Sequence, residues 1–324
     1  MKKESVYLGI DIGGTNTALG VADRNGQILI EGAFPTQKHK IVSQFITQLV
    51  DEIHALLDEL NAQFSLAGIG VAAPMGNYFQ GTIEGPVNLG WGEVAFVDML
   101  KIHFDLPIAI TNDGNAAALG EMKYGAAKGM QNLIVLTLGT GVGAGIVVNG
   151  ELLYGEEGLA GELGHVIVRP GGRKCGCGRR GCLETYVSAP GMCRTAGILL
   201  AESTEKSRLA HVAQSELSAR KIHEFANSGD AIANQTFEFT GAVLGEFMAN
   251  LVISFNPEAI ILFGGLTQAG NLLLIPAIKG YRANALNIYK KQVKILISKL
   301  NNSHSAILGA CVLIENEISK KLQT

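Results

Sequence analysis

The feature that most constrains this chain is a pattern that occurs twice. VYLGI, residues 6–10, is a β-rich run; Asp11, the glycine loop IGGTNT, a second run, TALGVA, and a turn at Asn25-Gly26 follow it. NLIVLTLGTGVGAGIVVNGELLYG repeats the order: β-rich run, glycine loop, β-rich run, a turn at Asn149-Gly150 and a further run. Asn-Gly between apolar runs is a strong hairpin signal, because both residues accept the positive φ of a tight turn. Helical patterns follow each copy. The sequence therefore predicts two α/β domains built on one plan, with a cleft between them.

The predicted first domain covers residues 1–114 and the second 115–304, with the closing helix, 305–324, returning to the first. In KIVSQFITQLVDEIHALLDELN, Ile41, Phe45, Leu49, Ile53, Leu56 and Leu60 recur at helical spacing. AGIGVAA, LPIAIT, AIILFGGL and VKILIS read as strands. EVAFVDMLKIHF, NDGNAAALGEMKYG, IANQTFEFTGAVLGEFMANLVISFN and the amphipathic SAILGACVLIENEISK read as helices.

A net charge of −3 gives no basic surface for nucleic acid or an anionic membrane. No run of 18 apolar residues is present, and MKKES leads into no apolar signal core, so neither a membrane span nor a leader is expected. Five cysteines, three of them in one loop, fit a reducing cytoplasm better than a disulfide scaffold.

Asp11-Ile12-Gly13-Gly14-Thr15-Asn16 reads as a phosphate-binding hairpin or as a plain tight turn. Glycines let backbone N–H groups face anionic oxygens, Thr15 and Asn16 add donors, and Asp11 is placed to hold Mg²⁺. In the second loop, Gly139, Thr140, Gly141, Gly143 and Gly145 alternate and run into a strand. A Rossmann or P-loop glycine run opens a helix instead, and the chain has no Gly-Lys pair. Two such hairpins suit a triphosphate gripped from both sides. Gly264-Gly265, ending a strand, reads as a close approach to a nucleoside or as a strand-to-helix turn.

Asn112-Asp113 lies between a strand and a helix. Asp and Asn are preferred helix caps; the alternative is a general base that takes a hydroxyl proton as the oxygen attacks a γ-phosphorus. Glu162 and His165 in GELGH, and Glu184, are candidates for paired sugar hydroxyls, which carboxylates hold well. Cys175-x-Cys177-x4-Cys182 with His165 upstream offers four ligands for a structural, tetrahedral Zn²⁺. A disulfide would leave one thiol over, and the spacing is not that of a nucleic-acid finger. Cys193 and Cys311 read as packing residues.

Taken together, DIGGTNT, NDGNAAALGE, LGTGVGAG and GELGHVIVRPGGRKCGCGRRGCLE resemble the ROK family of sugar kinases and sugar-responsive repressors, over residues 6 to 315. VNLGW and ALGEMKYGA are similar to segments of its ATP-dependent glucokinases. The resemblance implies an actin/hexokinase-like (ribonuclease H-like) two-domain α/β fold with a central cleft. It implies ATP and Mg²⁺ held by Asp11 to Asn16 and Gly139 to Gly143, with Gly264 and Gly265 near the adenosine. Asp113 matches the catalytic base; Asn88, Asn112, Glu162, His165 and Glu184 match sugar contacts; His165, Cys175, Cys177 and Cys182 match zinc ligands. It implies a cytoplasmic homodimer that phosphorylates the 6-hydroxyl of a hexose, glucose first. N-acetylhexosamines (GlcNAc or ManNAc) and fructose are the alternatives within kinases, and a non-catalytic sugar-responsive regulator is the alternative outside them. A DNA-binding repressor needs a helix-turn-helix ahead of the first strand, where about five residues stand. One departure affects sugar recognition: many relatives have Pro-Gly where this chain has Pro74-Met75, with Gly76 one residue later.

Overall fold

The structure is a computed structural model and describes residues 3–86, 89–289, 292–300 and 304–322. The chain divides into two compact units. One is made of Met1–Gly129, Glu151–Ala160 and Lys299–Thr324, the other of Met130–Gly150 and Gly161–Ser298. The first stretch runs past residue 114 and takes in the helix that begins at Asp113.

The first unit opens with β1 (Glu4–Ile12), β2 (Asn16–Ala22), β3 (Ile28–Pro35), α1 (Val42–Glu59) and β4 (Phe64–Ala72). A small sheet of β5 (Gly76–Asn77), β6 (Thr82–Glu84) and β7 (Glu93–Val94) follows, then α2 (Phe96–Lys101), β8 (Ile108–Thr111) and α3 (Asp113–Lys123). The main sheet has the order β3-β2-β1-β4-β8, with the hairpins antiparallel and β1, β4 and β8 parallel. Val6, Leu8, Ile10 and Ile12 share a core with Phe45, Leu49 and Ile53 of α1, whose helical spacing buries one stripe. Glu93–Val94 is strand rather than the start of α2, contrary to expectation. Val94 is β-branched and pairs with Ile83, and both are buried.

The second unit repeats the plan. β9 (Leu133–Leu138) and β10 (Val142–Val148) form an antiparallel hairpin. The short β11 (Glu151–Leu152) lies in the stretch that belongs to the first unit. Helices α4 (Glu184–Val187), α5 (Ala189–Glu202), α6 (Ala219–Asn227) and α7 (Ala231–Phe255) precede β12 (Ala259–Phe263), α8 (Asn271–Asn284) and β13 (Lys294–Ile297). β12 runs parallel to β9 and to β13, so β10-β9-β12-β13 has the strand directions of β2-β1-β4-β8. α7 is long and apolar enough to cross a membrane by length and composition, but 67% of its most apolar window is buried. Phe237, Leu244, Met248 and Val252 place it in the core of this unit.

The last helix, α9 (Ser305–Lys321), packs on β1, β4 and α3 of the first unit. Every residue from Ser305 to Ile314 is buried, so this half is not the amphipathic helix its sequence suggests. Beyond Ile314 the helix is half-buried through Ile318 and exposed from Ser319 onward. The approach to the sheet is backbone-close: a methyl group on Gly70 would lie 1.8 Å from the Ala310 carbonyl oxygen.

Candidate active site

In the first unit, Asp11 is one residue from the end of β1, on the same sheet face as Tyr7 and Gly9. Gly13 N–H donates to the Asn16 carbonyl at 3.0 Å and closes the glycine hairpin. Asp113 begins α3 at the C-terminal end of β8, the end where α/β sheets place ligands. Of the two residues, Asn112 is the helix cap: its carboxamide oxygen accepts from Asn115 N–H at 2.7 Å. Asp113 is thereby free of capping, and its Oδ1 accepts only from its neighbour Gly114 N–H at 2.9 Å among the hydrogen bonds described. Solvent reaches Asp113, yet protein crowds its carboxyl, and that desolvation pushes its pKa up. Accessible surface decides whether a substrate hydroxyl can reach the group; crowding decides how basic it is. Asp11 is raised to about 6, by burial first and by the charge of Asp113 second. A cation beside these carboxylates would relieve that repulsion, so the residues fit a divalent ion.

In the second unit, Gly139 N–H donates to the Gly141 carbonyl at 3.0 Å, and Glu184 Oε2 accepts from Val142 N–H at 3.1 Å. The Glu184 carboxylate thus lies against the glycine loop. A methyl group on Gly141 would meet it at 2.7 Å. Gly264 follows β12 with φ 105°, and a Cβ there would be 2.6 Å from the Leu138 carbonyl. Gly139, Thr140 and Gly265, far apart in sequence, line one cavity of about 370 Å³. That size is within the range of small-molecule sites. Arg220 and His223 of α6, Phe237 of α7 and Gln268 complete its wall. These four carry no sequence motif. They enter the site because α6 and α7 pack beside the hairpin, which only the fold reveals.

The ligand atoms of His165, Cys175, Cys177 and Cys182 lie within 4.8 Å of one another. Cys177 Sγ is 3.7 Å from Cys182 Sγ, and Cys175 Sγ is 3.6 Å from His165 Nδ1. A tetrahedral Zn²⁺ with ordinary bond lengths has S···S edges of about 3.8 Å and S···N edges of about 3.6 Å. The four residues fit such an ion, and all five cysteines are free thiols. The Arg179 backbone N–H holds the Cys177 thiol below the usual range, which favours the thiolate a metal needs. The loop also bears on the glycine hairpin, since Glu184 Oε1 is 4.0 Å from Cys175 Sγ while its Oε2 holds Val142. GELGH lies along β10, where a Cβ on Gly164 would sit 2.1 Å from the Val142 carbonyl. Cys311 is fully enclosed by α9, β1 and β2, and burial raises its thiol to about 12. Cys193 is half-buried, with its thiol on the Leu217 carbonyl.

Asn88 lies outside the described residues. Met75 has φ 57°, the left-handed value that glycine takes freely. Gly76 N–H donates to the Ala73 carbonyl at 3.0 Å, so Ala73-Pro74-Met75-Gly76 is a turn with proline second and positive φ third. Glycine is the residue this position of the turn prefers; here a methionine takes the strain and stands 40% exposed.

The chain belongs to the ROK family, which matches residues 7–317. The glucokinase of Halalkalibacterium halodurans is 36% identical over 319 residues, 97% of this chain and 96% of that one. A ROK family glucokinase from Streptomyces griseus, solved in complex with glucose and AMPPNP, is similar with a TM-score of 0.79 and 30% identity, over 96% of this chain and 99% of that one. A ROK family transcriptional regulator, a homologue of the Escherichia coli MLC protein, is similar with a TM-score of 0.85 and 27% identity, over 99% of this chain and 81% of that one. The fold is thus the actin/hexokinase-like α/β fold. Kinases and regulators share it, so the choice between them rests on the residues of the site.

Proposed function

We propose that the chain is an ATP-dependent sugar kinase that transfers the γ-phosphoryl group to the 6-hydroxyl of glucose. The observation that carries this reading is Asp113: a carboxylate at a sheet's C-terminal end, relieved of capping by Asn112, accessible, and made more basic by its surroundings. A general base for phosphoryl transfer needs these properties together, whereas a carboxylate that only binds a sugar hydroxyl does not need to be more basic. Identity of 36% to a glucokinase across nearly both chains supports the same choice.

Asp113 takes the hydroxyl proton as the sugar oxygen attacks phosphorus in line. Asn112, the Asn88 segment, Glu162, His165 and Glu184 hold the sugar hydroxyls. His165 keeps Nδ1 toward the cysteines, which leaves Nε2 for substrate. Gly13, Gly14, Thr15 and Asn16 cradle phosphate, and Asp11 would hold the Mg²⁺ that accompanies ATP and neutralises charge on its oxygens. In the second unit, Gly139, Thr140 and Gly141 take phosphate and the cavity beside Gly264 and Gly265 takes the nucleoside. Zinc at His165, Cys175, Cys177 and Cys182 would be structural, fixing the loop from which Glu162 and Glu184 extend. The family likeness carries the rest of the proposal, a cytoplasmic homodimer.

The test is ADP release from ATP with glucose, N-acetylglucosamine, N-acetylmannosamine, mannose and fructose. Glucose gives the highest kcat/KM. Asp113→Asn lowers kcat by roughly 10²–10⁴-fold with sugar binding retained. No ADP with any sugar, or normal turnover in that variant, refutes the reading.

A further inference from the structure

The second glycine hairpin rests on the segment that joins α4 to α5, and it is tied there twice. Glu184, the first residue of α4, holds Val142 N–H through Oε2 at 3.1 Å. Ala189, the first residue of α5, donates its N–H to the Gly139 carbonyl at 2.8 Å. Gly139 and Ala189 both line the cavity of about 370 Å³. The tie at Ala189 deprives α4 of a bond. A helix continuing past Val187 would join Ala189 N–H to the Thr185 carbonyl, four residues back. The hairpin has taken that donor, and the next residue, Pro190, has no N–H to give. The Thr185 carbonyl thus lacks its usual helical donor.

Arg173 supplies the missing donor. Its Nη1 reaches the Thr185 carbonyl at 2.8 Å and the Gly191 carbonyl at 3.2 Å. That nitrogen carries two hydrogens, one for each oxygen. The two carbonyls can share it because Gly191 has no side chain: a Cβ there would lie 3.0 Å from the Thr185 oxygen. The rest of Arg173 is held as well. Its guanidinium carbon is 4.5 Å from the centre of the Tyr186 ring and 5.6 Å from that of Phe239 in α7. Its backbone N–H donates to the Tyr186 hydroxyl at 3.1 Å.

We propose that Arg173 is a positioning residue for nucleotide binding: by satisfying the Thr185 carbonyl it frees Ala189 N–H to hold Gly139, and so sets the loop 139–141. This rests on the kinase reading above, in which that loop takes phosphate. Without the guanidinium, the Thr185 oxygen competes with Gly139 for the same N–H, because an unmatched backbone carbonyl is costly. Arg173 acts on how tightly the nucleotide is held, and proton transfer by Asp113 does not depend on it.

The experiment is calorimetric binding of Mg²⁺-AMPPNP to the full chain, with steady-state ATP kinetics at saturating glucose. Arg173→Met keeps an unbranched apolar stem against Tyr186 and Phe239 but offers no donor. In it the Kd for AMPPNP and the KM for ATP both rise by about 5-fold or more, while kcat stays within about 3-fold. Arg173→Lys restores a donor and binds AMPPNP at least about twice as tightly as Arg173→Met. Ala189→Pro removes the N–H itself at the first position of a helix, where proline is well accommodated, and Ser188 already has the extended backbone that proline needs before it. It raises the Kd as Arg173→Met does, and the double variant is within about 2-fold of either single one, because both break the same tie. Wild-type affinity in Arg173→Met overturns the proposal, as does a lower kcat with unchanged KM, the mark of a smaller folded fraction. A lysine no better than methionine, or additive losses in the double variant, overturn it too. A wild type that phosphorylates no sugar overturns the kinase reading instead.

Discussion

The two glycine hairpins have the same strand directions but different chemistry. Between the paired residues Ile12 and Thr17 the first leaves four residues, Gly13 to Asn16; between Leu138 and Val142 the second leaves three, Gly139 to Gly141. Two residues before each loop, the first copy has Asp11 and the second has Thr137. Burial, and then the repulsion of Asp113, raise Asp11 so that it holds its proton up to about pH 6. Thr137 is neutral, and its hydroxyl accepts from Gly143 N–H of its own hairpin at 3.0 Å. The first copy keeps an unfavourable charge, and the second removes charge from the strand. The second instead borrows a carboxylate from elsewhere, Glu184, which rests against the cysteine cluster. One plan has yielded a hairpin that carries its own carboxylate and one that receives a carboxylate from another loop.

The largest effect should come from loosening that other loop, which a metal at the cysteine cluster would brace. Stripping metal with a chelator, or Cys175→Ser, lowers the unfolding temperature by roughly 10 °C or more, because metal binding energy contributes directly to folding. Metal analysis with thermal unfolding checks this; a protein with less than half an equivalent of zinc, all three loop thiols titratable and no response to chelator refutes the brace.

Asp11→Asn tests the opposite character of the first hairpin. A carboxyl raised from 3.8 to about 6 makes the folded state bind the proton more tightly than the unfolded state. Its destabilisation is complete above about pH 6, fades as pH falls through that value and is gone below 3.8. Without nucleotide or Mg²⁺, Asp11→Asn is therefore more stable than wild type at pH 8, by about 3 kcal/mol at most, and equal to it near pH 3.5. Denaturant titrations at the two pH values measure this. A loss of stability at pH 8 would show that Asp11 is stabilised by a partner rather than destabilised by burial and by Asp113.

The smallest effect is at the equivalent strand end. Thr137→Val leaves Gly143 N–H without its acceptor and costs about 1 kcal/mol, independent of pH between 5 and 8. A pH-dependent cost would mean that the second hairpin also responds to charge.

Much of this contrast was legible beforehand, and the reason is local. Hairpins, glycine loops and a Cys3His set are written in contiguous residues, and the duplicated plan follows from them. Asp113 is legible only as an ambiguity; in the structure Asn112 is the cap, which short sequence patterns do not decide between neighbouring Asn and Asp. The cavity proposed for the nucleoside is half legible. Gly139, Thr140 and Gly265 mark it, whereas Arg220, His223 and Gln268 line it through the packing of the chain, which no short pattern encodes. The segment Glu93–Val94 misread as helix because its partner, Ile83, is fixed by the small sheet and not by its own sequence.

The first unit is begun by the chain's opening residues and closed by its last helix. On a ribosome, β1 and β4 emerge well before α9, which at ordinary elongation speeds follows on the order of ten seconds later. Until then the sheet face that receives Ala310 at Gly70 has no cover. The nascent chain must therefore carry an open apolar face for as long as the residues between β4 and α9 are being made.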